Sequence, residues 1–128
     1  MDNVKILIAD DDQDIRDSLQ AILETRKYTV ITAADRDEGM EKIKTEKPDL
    51  LILDVMMNEP DDGFYLAQKL RREKIDTPII MYTSVSKALG INFGRSEIVP
   101  VDEFVEKPIS PDELIEKVEK LLHTGIKE

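Results

Sequence analysis

Asp10, Asp11 and Asp12 stand side by side near the start of the chain, and Asp54 closes the apolar run Leu51-Ile52-Leu53. Carboxylates gathered at close range repel one another, so either their pKa values rise or a cation neutralises them. A hard divalent ion with oxygen ligands fits such a group, and Mg²⁺ commonly takes one or two carboxylates together with waters and a phosphate. An aspartate beside that ion can act as a nucleophile toward phosphorus. Thr83 and Lys107 close two later apolar runs. They could contact phosphoryl oxygens, one by hydrogen bond and the other by charge. This chemistry requires all of these side chains to meet in one place.

The apolar runs supply the scaffold. Residues 4–9, 28–32, 50–55, 79–82 and 101–105 are short and rich in Val, Ile and Leu, which predicts five strands. Helical patterns lie between them. Ile15, Leu19, Ile22 and Leu23 share one face; Asp35 is an N-cap with Glu38 as its capping partner, ahead of Met40 and Ile43. Leu66, Ala67 and Leu70 mark a third helix. Ser110-Pro111-Asp112-Glu113 combines an N-cap serine, proline at the first helical position and glutamate at N3. Leu114, Ile115, Val118, Leu121 and Leu122 follow as one stripe, with Gly125 able to end the helix. Strands alternating with helices predict an α/β fold, a doubly wound parallel sheet covered on both faces. In the order 2-1-3-4-5, strands 1 and 3 are neighbours and ligands bind at their carboxyl ends. Asp10, Asp11 and Asp54 then converge at one crevice, with Thr83 and Lys107 on the same edge.

Composition narrows the function. The 128 residues carry 18 basic and 28 acidic side chains, a net charge of −10. Phosphate backbones repel such a chain, so direct nucleic-acid binding is not expected. With no cysteine, disulfides, thiolate zinc sites and a cysteine nucleophile are excluded; one histidine, His123, excludes any site needing two imidazoles. No apolar run approaches the roughly 20 residues of a membrane span, and the N-terminal run, interrupted by Lys5, is no signal peptide. A cytoplasmic protein without membrane insertion is the expectation. The length predicts a single domain over 1–128.

Simpler readings compete. Asp10–Asp12 could be an exposed turn, and Asp12 is itself read as a helix cap. Thr83 could be only a β-branched strand residue, Lys107 only a solvated loop residue, and Phe104 ordinary core. The run Lys69-Leu70-Arg71-Arg72-Glu73-Lys74 reads as a solvated helix end, and His123 as a complement to a helix dipole. A calcium loop starting at Asp10 fails, because Ile15 and Ala21 occupy its glycine and glutamate positions. No nucleotide-binding glycine loop and no nucleophile elbow is present.

Four segments in order, Ile6-Leu7-Ile8-Ala9-Asp10-Asp11-Asp12, Asp54 at a strand end, Pro78-Ile79-Ile80-Met81-Tyr82-Thr83-Ser84, and Phe104-Val105-Glu106-Lys107-Pro108, resemble the receiver domain of bacterial two-component response regulators. The resemblance spans essentially the whole chain. It implies a flavodoxin-like, receiver-like sheet and a stand-alone phosphorylation switch, not a turnover enzyme. Asp54 is then the phosphoacceptor, taking its phosphoryl group from a sensor histidine kinase or a histidine phosphotransfer protein. Asp11 is a direct Mg²⁺ ligand, Asp10 a support acting through water, and Asp54 and the Met56 carbonyl complete the set. Thr83 moves toward the phosphoryl group, Lys107 pairs with it, the bond to Pro108 is often cis, and Phe104 occupies the aromatic switch position. The output is a change in binding to a downstream protein target that the sequence does not name, from a monomer or weak dimer.

The chain departs from the family pattern in three places. Pro60 lies six and Gly63 nine residues after Asp54, so the loop over 56–62 is one residue longer than usual. The segment 87–100 contains Gly90, Gly94 and Pro100 and alternates Leu89, Ile91 and Phe93, which predicts an atypical fourth helix or none. Phe104 lacks the hydroxyl of the common tyrosine. Two other functions stay open: a receiver-like interaction module that takes no phosphate, and a Mg²⁺-dependent phosphohydrolase with an aspartate nucleophile.

Overall fold

The computed structural model describes residues 4–55, 57, 62–84 and 101–125. Its elements follow the predicted alternation: β1 (Lys5–Ala9), α1 (Gln13–Glu24), β2 (Thr29–Ala33), α2 (Arg36–Glu46), β3 (Leu50–Leu53), α3 (Asp62–Arg72), β4 (Ile79–Thr83), β5 (Glu103–Glu106) and α4 (Pro111–Gly125). The five strands are parallel and ordered β2-β1-β3-β4-β5. The fold is the doubly wound α/β sheet expected. The segment 87–100, with its expected loss of helix, lies outside the described residues, as does Met56.

Alternation along the strands sends successive side chains to opposite faces and so builds two cores. Ile6, Ile8, Leu50, Ile52, Ile80 and Tyr82 face α1 and α4, meeting Leu19, Leu23, Leu114, Ile115 and Val118. Leu7, Ala9, Leu51, Leu53, Ile79 and Met81 face α2 and α3, meeting Ile43, Leu66, Ala67 and Leu70. Burial on both faces explains why β1, β3 and β4 are apolar almost throughout.

The helix starts follow side-chain chemistry. Asp12 accepts from the Asp14 and Ile15 amides, Asp35 from that of Glu38, and Ser110 from that of Glu113. Glu38 reaches one residue further back than a capping box requires, accepting from Ala34 N–H at 2.8 Å. After α1, α2 and α3 the chain turns through left-handed lysines, Lys27, Lys47 and Lys74, with φ of 67°, 52° and 65°.

Three expectations need correction. β2 runs one residue later than predicted. β5 begins at Glu103, because Asp102 occupies the preceding ladder position with its side chain: its amide bonds Ile79 O and its carboxylate accepts from Ile79 N–H at 2.8 Å. The basic end of α3 is not simply solvated. Arg71 donates to the carbonyls of Ile75 and Thr77, each at 2.9 Å, and pairs with Asp102 at 3.3 Å, clasping α3 to the strand entrances.

Candidate functional site

The sheet places Asp10, Asp54 and Lys107 by continuing its ladder one residue beyond a strand. Asp10 N–H bonds Ala33 O, Asp54 N–H bonds Ala9 O at 2.9 Å, and Lys107 N–H bonds Thr83 O at 2.8 Å. These bonds set the ends of β1, β3, β4 and β5 level, so their side chains meet at the carboxyl edge. Asp10, Asp54 and Thr83 are buried, and Asp11 is exposed at the rim. Asp10, Asp11 and Asp54 each offer a carboxylate oxygen, and those atoms lie within 4.8 Å of one another.

Lys107 supplies the cation. Its Nζ lies 2.8 Å from Asp10 Oδ2 and 3.5 Å from Asp54 Oδ2, with 13% of the side chain exposed. Burial works against the ammonium charge. The Asp10 hydrogen bond and the charges of Asp54 and Asp10 outweigh it and hold the pKa above the ordinary lysine value. Lys107 is therefore charged throughout the neutral range, and the peptide bond to Pro108 is cis. Asp10 is held at every oxygen: Oδ1 accepts from Asp12 N–H at 2.9 Å, Oδ2 from Lys107, and its carbonyl from Arg16 Nη1 at 2.7 Å. The buried Thr83 hydroxyl, at the end of β4 on the same edge of the sheet, has no hydrogen-bond partner among the described residues.

The donor set fits a hard divalent cation. It is all carboxylate oxygen, without sulfur or imidazole, and two of its three members are buried where excess negative charge is costly. Asp12 is not part of it, since its carboxylate is engaged as the α1 cap. Phe104 lies elsewhere, half-buried against α3, its ring 6.2 Å from that of Phe64 in an edge-on contact.

Two features near Asp54 escaped the sequence reading. Gly63 N–H bonds Val55 O at 2.8 Å, and a Cβ there would collide with the Asp54 carbonyl oxygen and lie 2.9 Å from the Asp54 carbonyl carbon and Val55 Cα. Only glycine lets α3 approach the Asp54 backbone this closely. Asp62, 2% exposed, faces Arg36 Nη1 at 3.4 Å, and the Arg36 guanidinium sits 4.4 Å above the Tyr65 ring. Asp61-Asp62 reads in sequence as polar loop, and no spacing links it to Arg36.

Residues 6–119 match the family model of the response regulator receiver domain. The chain is a response regulator receiver domain. This receiver is 40% identical over 124 residues to the alkaline phosphatase synthesis transcriptional regulatory protein PhoP of Bacillus subtilis, covering 94% of this chain and 49% of PhoP. It is 37% identical to the response regulator MprA of Mycobacterium ulcerans, covering 94% of this chain and 50% of MprA. The receiver thus spans about half the length of the curated relatives it matches. Among solved structures, it is similar to a CheY-like receiver domain protein from Methanospirillum hungatei, with a TM-score of 0.81, 31% identity and 96% of each chain covered. TrrA from Thermotoga maritima, crystallised with Mg²⁺ and a beryllium fluoride, gives a TM-score of 0.79 at 35% identity, covering 92% of this chain and 98% of TrrA. Receiver domains are signalling switches of two-component systems rather than turnover enzymes, and response regulators receive phosphate from histidine kinases. No helix among the described residues is long and apolar enough to cross a membrane.

Proposed function

We propose that this receiver takes a phosphoryl group onto Asp54 from the phosphohistidine of a kinase or phosphotransfer partner and thereby changes its binding to a downstream protein. The observation that carries the reading is the convergence of Asp10, Asp11 and Asp54 within 4.8 Å, with Lys107 reaching the first and third. An Asp54 carboxylate oxygen forms the new bond to phosphorus as the phosphorus–nitrogen bond to histidine breaks, and the departing imidazole takes up a proton. Lys107 offers charge to the phosphoryl oxygens, and the Thr83 hydroxyl a hydrogen bond. Asp11, with Asp54 and the Met56 carbonyl, would hold Mg²⁺, and Asp10 would orient the metal's water. When bound, the metal offsets the charge that accumulates between carboxylate and phosphate. Phe104 is the proposed aromatic switch, leaving its contact with Phe64 as the active form develops.

A single domain over 1–128, cytoplasmic and monomeric or weakly dimeric, is the arrangement we assign to this receiver. Intact-mass spectrometry with Mg²⁺ and acetyl phosphate tests the central step. One added, acid-labile phosphoryl group is expected on the wild type and none on Asp54→Ala. An adduct retained by Asp54→Ala would overturn the assignment of the acceptor. No adduct on the wild type, together with no binding of beryllofluoride, would favour the interaction module that takes no phosphate.

A further inference from the structure

Among the described residues, Tyr82 is the one fully buried side chain of the α1/α4-facing core that carries a polar atom. It precedes Thr83 on β4, so its side chain points to the opposite face of the sheet from the threonine. Only 5% of it is exposed, yet its hydroxyl is satisfied: Oη accepts from Ile109 N–H at 3.1 Å. Ile109 lies two residues beyond Lys107, and the Lys107 Nζ stands 5.6 Å from the centroid of the Tyr82 ring. The Lys107 amide is bonded to Thr83 O at 2.8 Å. The turn that carries the lysine is therefore pinned on both sides by adjacent residues of one strand, by the Thr83 backbone before it and by the Tyr82 side chain after it. A phenylalanine would fill nearly the same space in the core and leave the Ile109 amide to find another acceptor.

We propose that Tyr82 is the positioning residue for Lys107. Its hydroxyl fixes the turn after β5, and its ring face lies beside the ammonium, a placement that favours a cation. Lys107 has four rotatable side-chain bonds, and holding its backbone on both sides reduces the freedom lost when its head group meets a phosphoryl oxygen. This inference rests on the proposed phosphoryl site. The residue does not touch the phosphoryl group and acts only through Lys107.

The substitution Tyr82→Phe removes the hydroxyl and keeps the ring, so the core stays filled. The first readout uses the metal-free protein: NMR of the Lys107 side chain, whose ε-methylene and ammonium signals report its order beside Asp10. Tyr82→Phe should move them toward free-lysine values. The second is affinity for beryllofluoride in saturating Mg²⁺, expected to fall about threefold to tenfold, the worth of one hydrogen bond. The decisive comparison repeats the substitution in Lys107→Ala. There it should have no further effect, since the residue it positions is gone. An equal loss in both backgrounds, or unchanged Lys107 signals, would overturn the inference, because either means that Tyr82 acts on the fold at large. If wild type binds no beryllofluoride, the phosphoacceptor reading fails and the inference falls with it. Binding by wild type with unaltered affinity in Tyr82→Phe overturns the role of Tyr82 alone.

Discussion

The Lys107 ammonium lies 2.8 Å from Asp10 Oδ2, an ion pair between the ends of two strands with β3 and β4 between them in the sheet. A solvated loop lysine would cost about 1 kcal/mol or less on substitution. Lys107 instead contacts two buried carboxylates. Removing the cation leaves Asp10 and Asp54 facing each other with less compensation, and breaking a buried pair costs more than breaking a surface one. We predict that Lys107→Ala lowers stability by about 2–3 kcal/mol without divalent ions. Mg²⁺ should restore part of that loss, since a ligand bound only by the folded form stabilises it. Urea unfolding with EDTA and with Mg²⁺ measures both effects; equal losses in the two conditions would contradict the electrostatic cause.

Gly63 makes a second prediction. The atoms its missing side chain would strike belong to the Asp54 and Val55 backbone, which cannot swing aside as a flexible side chain can. Gly63→Ala should therefore destabilise by about 3 kcal/mol, at the upper end for overpacking. It should also weaken Mg²⁺ binding, because relief of the clash must shift Asp54. Chemical denaturation and a Mg²⁺ titration check the two consequences. A stable variant with normal affinity would mean that α3 simply moves away.

The neighbours Asp11 and Asp12 should separate cleanly. Asp12 Oδ1 accepts from the Asp14 amide at 2.9 Å and from the Ile15 amide at 3.4 Å, so Asp12→Ala removes an N-cap worth about 1 kcal/mol. Mg²⁺ affinity should be nearly unchanged. Asp11, exposed beside Asp10 and Asp54, caps nothing in the described structure, so Asp11→Ala should reverse the pattern and lower affinity with little loss of stability. Fluorescence-detected Mg²⁺ titration and thermal melts of each variant distinguish them. Similar affinity losses in both would remove the distinction.

The parts of this site legible in sequence are those written in strand periodicity. Asp10, Asp54, Thr83 and Lys107 each close an apolar run, and a parallel sheet of order 2-1-3-4-5 then forces them to one edge. What stayed hidden depends on contacts between elements. Nothing in the spacing of Asp62 and Arg36 announces an ion pair between the starts of α2 and α3. Tyr82 fits an apolar strand pattern whether or not its hydroxyl bonds a distant amide. β5 is an edge strand whose first ladder position is filled by the Asp102 side chain, so its start cannot be read from hydrophobicity.

Glu38 carries a pH prediction. The hydrogen bond from Ala34 N–H, followed by that from Lys42, holds its carboxyl below the usual glutamate range against a small opposing effect of burial. A depressed folded-state pKa gives stability that is present above the unfolded pKa, about 4.3 for glutamate, and is lost as pH falls through the folded value. Glu38→Gln should therefore flatten the acid limb of the stability curve below about pH 4.5. Its side chain is 39% exposed, so the effect should stay below about 1 kcal/mol. Urea midpoints at a series of pH values test it; parallel acid limbs in wild type and variant would exclude the contribution.

The pairing of Arg36 with Asp62 gives the last prediction. Asp62 opens α3 immediately before Gly63, and Arg36 opens α2. Their 3.4 Å ion pair joins the two helix starts, and the Arg36 guanidinium sits 4.4 Å above the ring of Tyr65, one turn along α3. Arg36→Met removes the cation but keeps an unbranched apolar chain over the ring, so the loss should reflect charge more than packing. We predict a destabilisation of about 1–2 kcal/mol, more than for a surface pair because Asp62 is buried and less than for a fully buried one because the Arg36 side chain is 36% exposed. Asp62→Asn alone should also destabilise, while the double variant should lose less than the sum, with a coupling of about 1 kcal/mol for residues in direct contact. Strict additivity in stability would show that the two side chains do not interact in solution.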